Sequence, residues 1–179
     1  MTNIHIKKNE SPLNVLLLHV SVRFARLFRC ELHGEIHGEK RPGLLTTWSV
    51  DVCTVPRSGR FVVFSEEHSL FTFIISSSYG RSLTPVLKSF HARREELVRE
   101  LGLCESTPFS LTAWHFGKRV NRHIIGSQND LIYLLGGHLE SAVPPVKEDL
   151  LRKIEDFLNQ TPMSYLGMES PRAALFEST

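Results

Sequence analysis

The chain has 179 residues and a mass of 20.4 kDa, the size of one domain whose core removes roughly 70% of the unfolded surface from water. Apolar residues make up 41% and charged residues 22%, which excludes a disordered or fibrous chain. The balance of 21 Lys and Arg against 19 Asp and Glu leaves a net charge of +2, which excludes a uniformly basic nucleic-acid coat; any basic footprint has to be local.

Residues 1–12 are polar, end in Glu10-Ser11-Pro12 and read as a flexible leader; 13–179 read as a single domain. Leu13–His19 is a short apolar run, expected as a strand. Lys7 and Lys8 precede it, but Asn14 and His19 interrupt it and no small-residue cleavage site follows, so it does not read as a signal peptide. Ser21–Arg29 reads as a helix, although Val22, Phe24 and Arg26 also alternate. Glu31–Gly43 holds Gly34, Gly38 and Pro42 and is expected as a loop or irregular hairpin. Leu44–Val55, Arg60–Ser65 and Leu70–Ser76 have strand composition. The turns Pro56–Gly59 and Glu66–His68 join them into an antiparallel meander.

Past the serine run at 76–78, Thr84 and Pro85 start a helix that runs to Leu101 and stops at Gly102. Its segment His91–Arg94, with Arg99 and the acids Glu95, Glu96 and Glu100, reads as a solvated face. Phe109–Phe116 is a fourth strand. Ser127, with Asp130 three residues on, reads as the N-cap of a helix Gln128–Glu140. Val143-Pro144-Pro145 is a connector. Val146–Asn159 is amphipathic, with Val146, Leu150, Ile154 and Leu158 on one stripe. The tail 160–179 contains one short helix started by Ser170-Pro171 and is expected either on the domain or against a partner. Strands first and helices later give an α+β class: a mainly antiparallel meander of about four strands with three or four helices packed on one face.

The stretch from His115 to Asp130 resembles a block of an uncharacterised bacterial family catalogued as a domain of unknown function. Its pattern runs Lys-Thr-x-Asn-Arg-Ser-Val-Leu-Gly-Ser-Met-Asn-Asp-Phe. The matching positions are Lys118, Asn121, Arg122, Gly126, Ser127, Asn129 and Asp130; His123 stands where the pattern has a small hydroxyl residue. The strand pair from Trp48 to Leu70 and the tail segment Leu158–Pro171 are similar to the same family, so the resemblance runs from about residue 44 to the end. It implies no activity, which leaves function to the residues.

Lys118, Arg119, Arg122 and His123 fall within six residues, and no acid occurs between Glu105 and Asp130. A helix opening at Gly126-Ser127 would present free N–H groups to an anion, with Asn121 and Asn129 beside it and arginine as a planar bidentate donor. The same residues also fit a structural turn in which Asp130 takes those N–H groups and pairs with Arg122. His33-Gly34-Glu35-Ile36-His37 has the spacing of a strand-borne metal pair but no second ligand cluster, so no metal and no cofactor are predicted. Cys30, Cys53 and Cys104 form no CxxC pair and are expected as reduced thiols in a cytoplasmic protein. No apolar run reaches the roughly 18 residues of a membrane span, and no P-loop, GxGxxG or GxSxG motif is present.

Three functions remain in view. The first is a module that binds phosphate, in RNA or DNA, through the basic motif, with Trp48, Trp114 or Tyr79 available for base stacking. The second is a metal-independent ribonuclease-like toxin with His115 or His123 as base. The third is an antitoxin or inhibitor that binds a protein through 162–176. The last two would place the chain in a toxin–antitoxin or defence system.

Overall fold

Alternation along the strands builds two different cores on the two faces of one sheet. A computed structural model describes residues 15–32, 45–77, 82–103, 112–140, 142 and 144–178. The strands are β1 (Val15–Val20), β2 (Thr47–Val55), β3 (Gly59–Glu66), β4 (Thr72–Ser76) and β5 (Ala113–Lys118). The helices are α1 (Val22–Phe28), α2 (Leu83–Glu100), α3 (Arg122–Glu140), α4 (Glu148–Gln160) and α5 (Pro171–Glu177), with a 3-10 turn at Ser164–Leu166. The sheet order is β4-β3-β2-β1-β5.

The α+β class holds, and its details differ from the sequence expectation. The sheet is mixed rather than mainly antiparallel. The meander is β2-β3-β4, and β1 is inserted beside it, parallel to both β2 and β5. Among the described residues five helices lie on both faces, rather than three or four on one. On the first face, Leu16, Leu18, Trp48 and Phe64 meet Phe24 of α1, Phe90 of α2 and Leu175 of α5. On the second, Phe61, Val63 and Ile74 meet Leu131 and Leu135 of α3 and Ile154 and Leu158 of α4.

The second face was hidden in the sequence because it carries polar residues that read as solvent-facing. Ser49, Ser65 and Thr72 are buried there and draw their partners from the helices. Gln128 of α3 is fully buried; its Nε2 donates to the carbonyl of Ser49 at 2.9 Å and its Oε1 accepts from the Ser49 hydroxyl at 3.0 Å. Asn159 of α4 accepts from the N–H of Thr72 at 2.7 Å and donates to its carbonyl at 2.9 Å. Glu155 accepts from the N–H of Ile74 at 2.8 Å. Side chains thus take the outward backbone groups of β4, an edge strand that would otherwise invite another chain.

Arg93 of α2 reaches the same edge from the opposite layer and binds Glu155 with both terminal nitrogens. The expected solvated face of α2 is therefore corrected in part: His91, Arg93, Arg94 and Glu95 are buried, while Glu96, Arg99 and Glu100 are exposed. Arg94 donates from Nε to the carbonyl of Leu45 at 2.8 Å and pairs with Glu95. The charges are inside because each finds a partner there: Arg93 meets Glu155, and Arg94 meets the Leu45 carbonyl and Glu95. The helix also begins at Leu83 behind Ser82, slightly ahead of Thr84.

The start of α3 is corrected as well. It opens at Arg122, and the side chain of Asn121 accepts from the N–H groups of His123 (3.1 Å) and Ile124 (3.4 Å). Asparagine caps as well as serine, and the turn at 119–121 places it first. Gly126-Ser127 falls in the second turn, with Ser127 buried. The tail packs onto the domain: Met163, Pro171 and Leu175 are buried.

Replacing Glu155 with Ala strands Arg93 and the Ile74 N–H in the interior. We expect a loss of about 3–5 kcal/mol in urea unfolding; a loss within the range of an exposed pair, below about 1 kcal/mol, would contradict the edge account.

Candidate functional site

Strands β1 and β5 run side by side in parallel and end together, with Val20 opposite Lys118. Ser21 follows β1 and caps α1, its hydroxyl accepting from the N–H of Phe24 at 3.1 Å. The N–H of Ser21 also donates to the carbonyl of Val50, which brings Asp51 of β2 to the same place. The Asp51 carboxylate then accepts from the Ser21 hydroxyl (2.5 Å), the Val52 N–H (2.7 Å), Arg119 Nη1 (2.8 Å) and Arg23 Nη2 (3.1 Å). Burial raises its pKa, but the bonds from Ser21 and Val52 and the Arg119 charge outweigh this and hold it below the ordinary carboxylate value.

Arg119 is the member of the basic motif that the fold builds in. Its side chain is 7% exposed and is committed to Asp51 through Nη1 alone. Its Nε is buried and has no hydrogen-bond partner among the described residues. An arginine offers five N–H donors, so the Nε edge of this guanidinium is unused. Lys118 and Arg122, on either side of it, are exposed and have no ion-pair partner among the described residues. Arg23 is 68% exposed where it approaches Asp51.

The structure gathers Lys118, Arg119, Asn121, Arg122 and His123 in the β5–α3 loop and the first turn of α3. Gly126 and Asn129 are exposed further along the helix, and Ser127 faces inward. Arg122 and Asp130 form no ion pair; two helical turns separate them. His123 is exposed and its ring lies nearly parallel to that of Tyr165, 6.1 Å away. His115 is half-buried in β5, opposite Leu17 of β1. Of the expected stacking residues, Trp48 is fully buried, Trp114 packs against Phe90, and Tyr79 lies outside the described residues. The His33–His37 stretch and Cys104 also lie outside them, and among the described residues no three metal-ligating side chains cluster. Cys30 and Cys53 are free thiols, and burial pushes the Cys30 thiol up to about 11.

Sequence reasoning missed Ser21, Arg23 and Asp51. An acid inside Val50-Asp51-Val52 was the available signal, since a charge in an apolar strand needs a buried partner. It also missed His19, whose Nδ1 is 2.7 Å from Glu67 Oε1. Gly117 lies against it: a Cβ there would stand 2.9 Å from the His19 ring and would push the ring aside.

Because the Asp51 pKa is lower in the folded chain, its contribution is complete above the unfolded value of about 3.9 and is lost as pH falls through the folded value. At pH 7 Asp51→Asn should cost about 3 kcal/mol, since it leaves Arg119 buried and uncompensated. In urea titrations the gap between wild type and Asp51→Asn should shrink as pH drops from 7 to 3. A gap independent of pH would contradict the assignment.

A family model described as a domain of unknown function, DUF6933, matches residues 29–174. The match takes in β2 to β5 and α2 to α4 with Asp51 and Arg119, whereas Ser21 and Arg23 precede it. No curated protein matches the chain. Among the described residues no helix is long and apolar enough to cross a membrane. With its match spanning most of the sheet and the whole β5–α3 motif, the chain belongs to the DUF6933 family.

Proposed function

We propose that the protein is a phosphate-binding module whose ligand is a nucleic-acid backbone, held at the joined carboxyl ends of β1 and β5. The observation that carries this reading is the Arg119 side chain, buried, clamped through Nη1 by Asp51 and left with an unused Nε edge. A guanidinium fixed at Nη1 holds its remaining donors in place, and the exposed Lys118 and Arg122 on either side would draw an oxyanion towards them. Lys118 and Arg122 add exposed charge with no ion-pair partner among the described residues. Carboxyl ends of parallel strands are also where open α/β sheets usually place ligands. The helix start at Asn121 is not part of the proposal, because Asn121 already occupies its first N–H groups.

A second reading, acid–base cleavage of the bound phosphodiester, is favoured by one observation. Glu67 orients the His19 imidazole through Nδ1, the arrangement that prepares a histidine for proton transfer. His115 lies on the same face of the sheet, two residues before Gly117.

Lys118→Ala combined with Arg122→Ala changes only exposed side chains. Each lost phosphate contact should flatten the plot of log affinity against log salt by about 0.7–0.9. Fluorescence anisotropy of a labelled oligonucleotide in EDTA, at several salt concentrations, should show the double variant shallower by about 1.5. An unchanged slope would remove the phosphate reading. Running the same samples on a denaturing gel tests the second reading: it requires cut strands, and intact strands after His19→Asn.

A further inference from the structure

Beside the basic loop lies an exposed aromatic surface that the phosphate reading does not use. Tyr165 is 40% exposed and Met168 66% exposed, both on the short segment after α4. The ring of His123, in the first turn of α3, stacks on Tyr165 with 17° between the planes. Val120, one residue after Arg119, is 54% exposed. This surface is firmly held. Met163 is buried, its N–H donates to the carbonyl of Glu169 at 2.9 Å, and the turn is closed by left-handed residues at Gly167 and Met168. Arg122 precedes His123 in the same turn of α3.

We propose that the Tyr165–His123 pair is a stacking platform for nucleobases, so that the ligand of the basic loop is a single-stranded nucleic acid. The inference rests on the phosphate reading and narrows it. A flat ring pair presents a surface that any unpaired base can cover, while cations one residue away meet the phosphates; this is the division of labour in single-strand recognition. A duplex buries its base faces and would leave Tyr165 and His123 without a role. The three aromatic residues expected for stacking are not needed, because the platform comes from a histidine and a tyrosine more than 40 positions apart in sequence.

The test is anisotropy of labelled ten-nucleotide RNA and DNA single strands, the matching duplex and competing inorganic polyphosphate, with wild type, Tyr165→Phe and Tyr165→Ala. Both single strands should bind more tightly than the duplex. Tyr165→Ala should weaken single-strand binding roughly tenfold, with Tyr165→Phe close to wild type and polyphosphate competition unchanged. Circular dichroism should show both variants folded. If Tyr165→Ala binds single strands as well as wild type, or duplex binds equally, the platform is overturned while the phosphate reading stands. If neither strands nor polyphosphate bind at low salt, both fail together.

Discussion

Asp51 is a carboxylate in the middle of an apolar strand, and the carboxyl end of the sheet is organised around it. A buried charge of this kind is tolerated only when it is surrounded by donors. Its donors come from four directions: the Ser21 hydroxyl after β1, the adjacent Val52 N–H, Arg23 from α1 and Arg119 from the β5–α3 loop. Because those donors come from the β1–α1 junction, β2 and the end of β5, satisfying the charge also ties the start of α1 to the point where the chain leaves β5. Arg119 is then immobile. That immobility separates it from Lys118 and Arg122, which are free in solvent and supply attraction without geometry.

The opposite end of the sheet obeys the same rule with other residues. β4 is an edge strand, and its outward N–H and carbonyl groups are met by Asn159 and Glu155. The Arg93–Glu155 pair joins α2 on one face to α4 on the other around that edge. The burial of Glu155 raises its pKa, and Arg93 and the Ile74 N–H offset only part of that rise. Gln128 performs a related task in the centre, holding the backbone of β2 to α3. The sheet is therefore locked to its second helical layer by polar contacts set among apolar ones.

These polar contacts explain what could be read from the sequence. The meander from β2 to β4, the long helices and the amphipathic stripe of α4 were legible because apolar residues recur at the spacing of each element. β1 was legible as a strand, but its place was not: nothing local distinguishes a central parallel strand from a short buried run. The second helical layer was not legible, since Ser49, Ser65 and Thr72 look like solvent-facing positions until Gln128 and Asn159 are brought to them from far along the chain. Arg93 and Arg94 misled for the same reason, because Glu155 and the Leu45 carbonyl, which they bind, lie beyond their own helix. In the site, the cluster Lys118–His123 was visible because it is contiguous. Asp51, which gives that cluster its geometry, was visible only as an oddity in a valine-rich strand.

The central claim is that the unused edge of Arg119 receives an oxyanion. Proton–nitrogen correlation spectra of the arginine side chains report it directly, and Arg93 serves as an internal control, because its Nε is also buried with no partner among the described residues but lies at the β4 edge, far from the loop. On titration with a short single-stranded oligonucleotide in EDTA, the Arg119 Nε–H resonance should move and become protected from exchange, while that of Arg93 stays in place. An Arg119 resonance that does not move at saturating ligand would contradict the account.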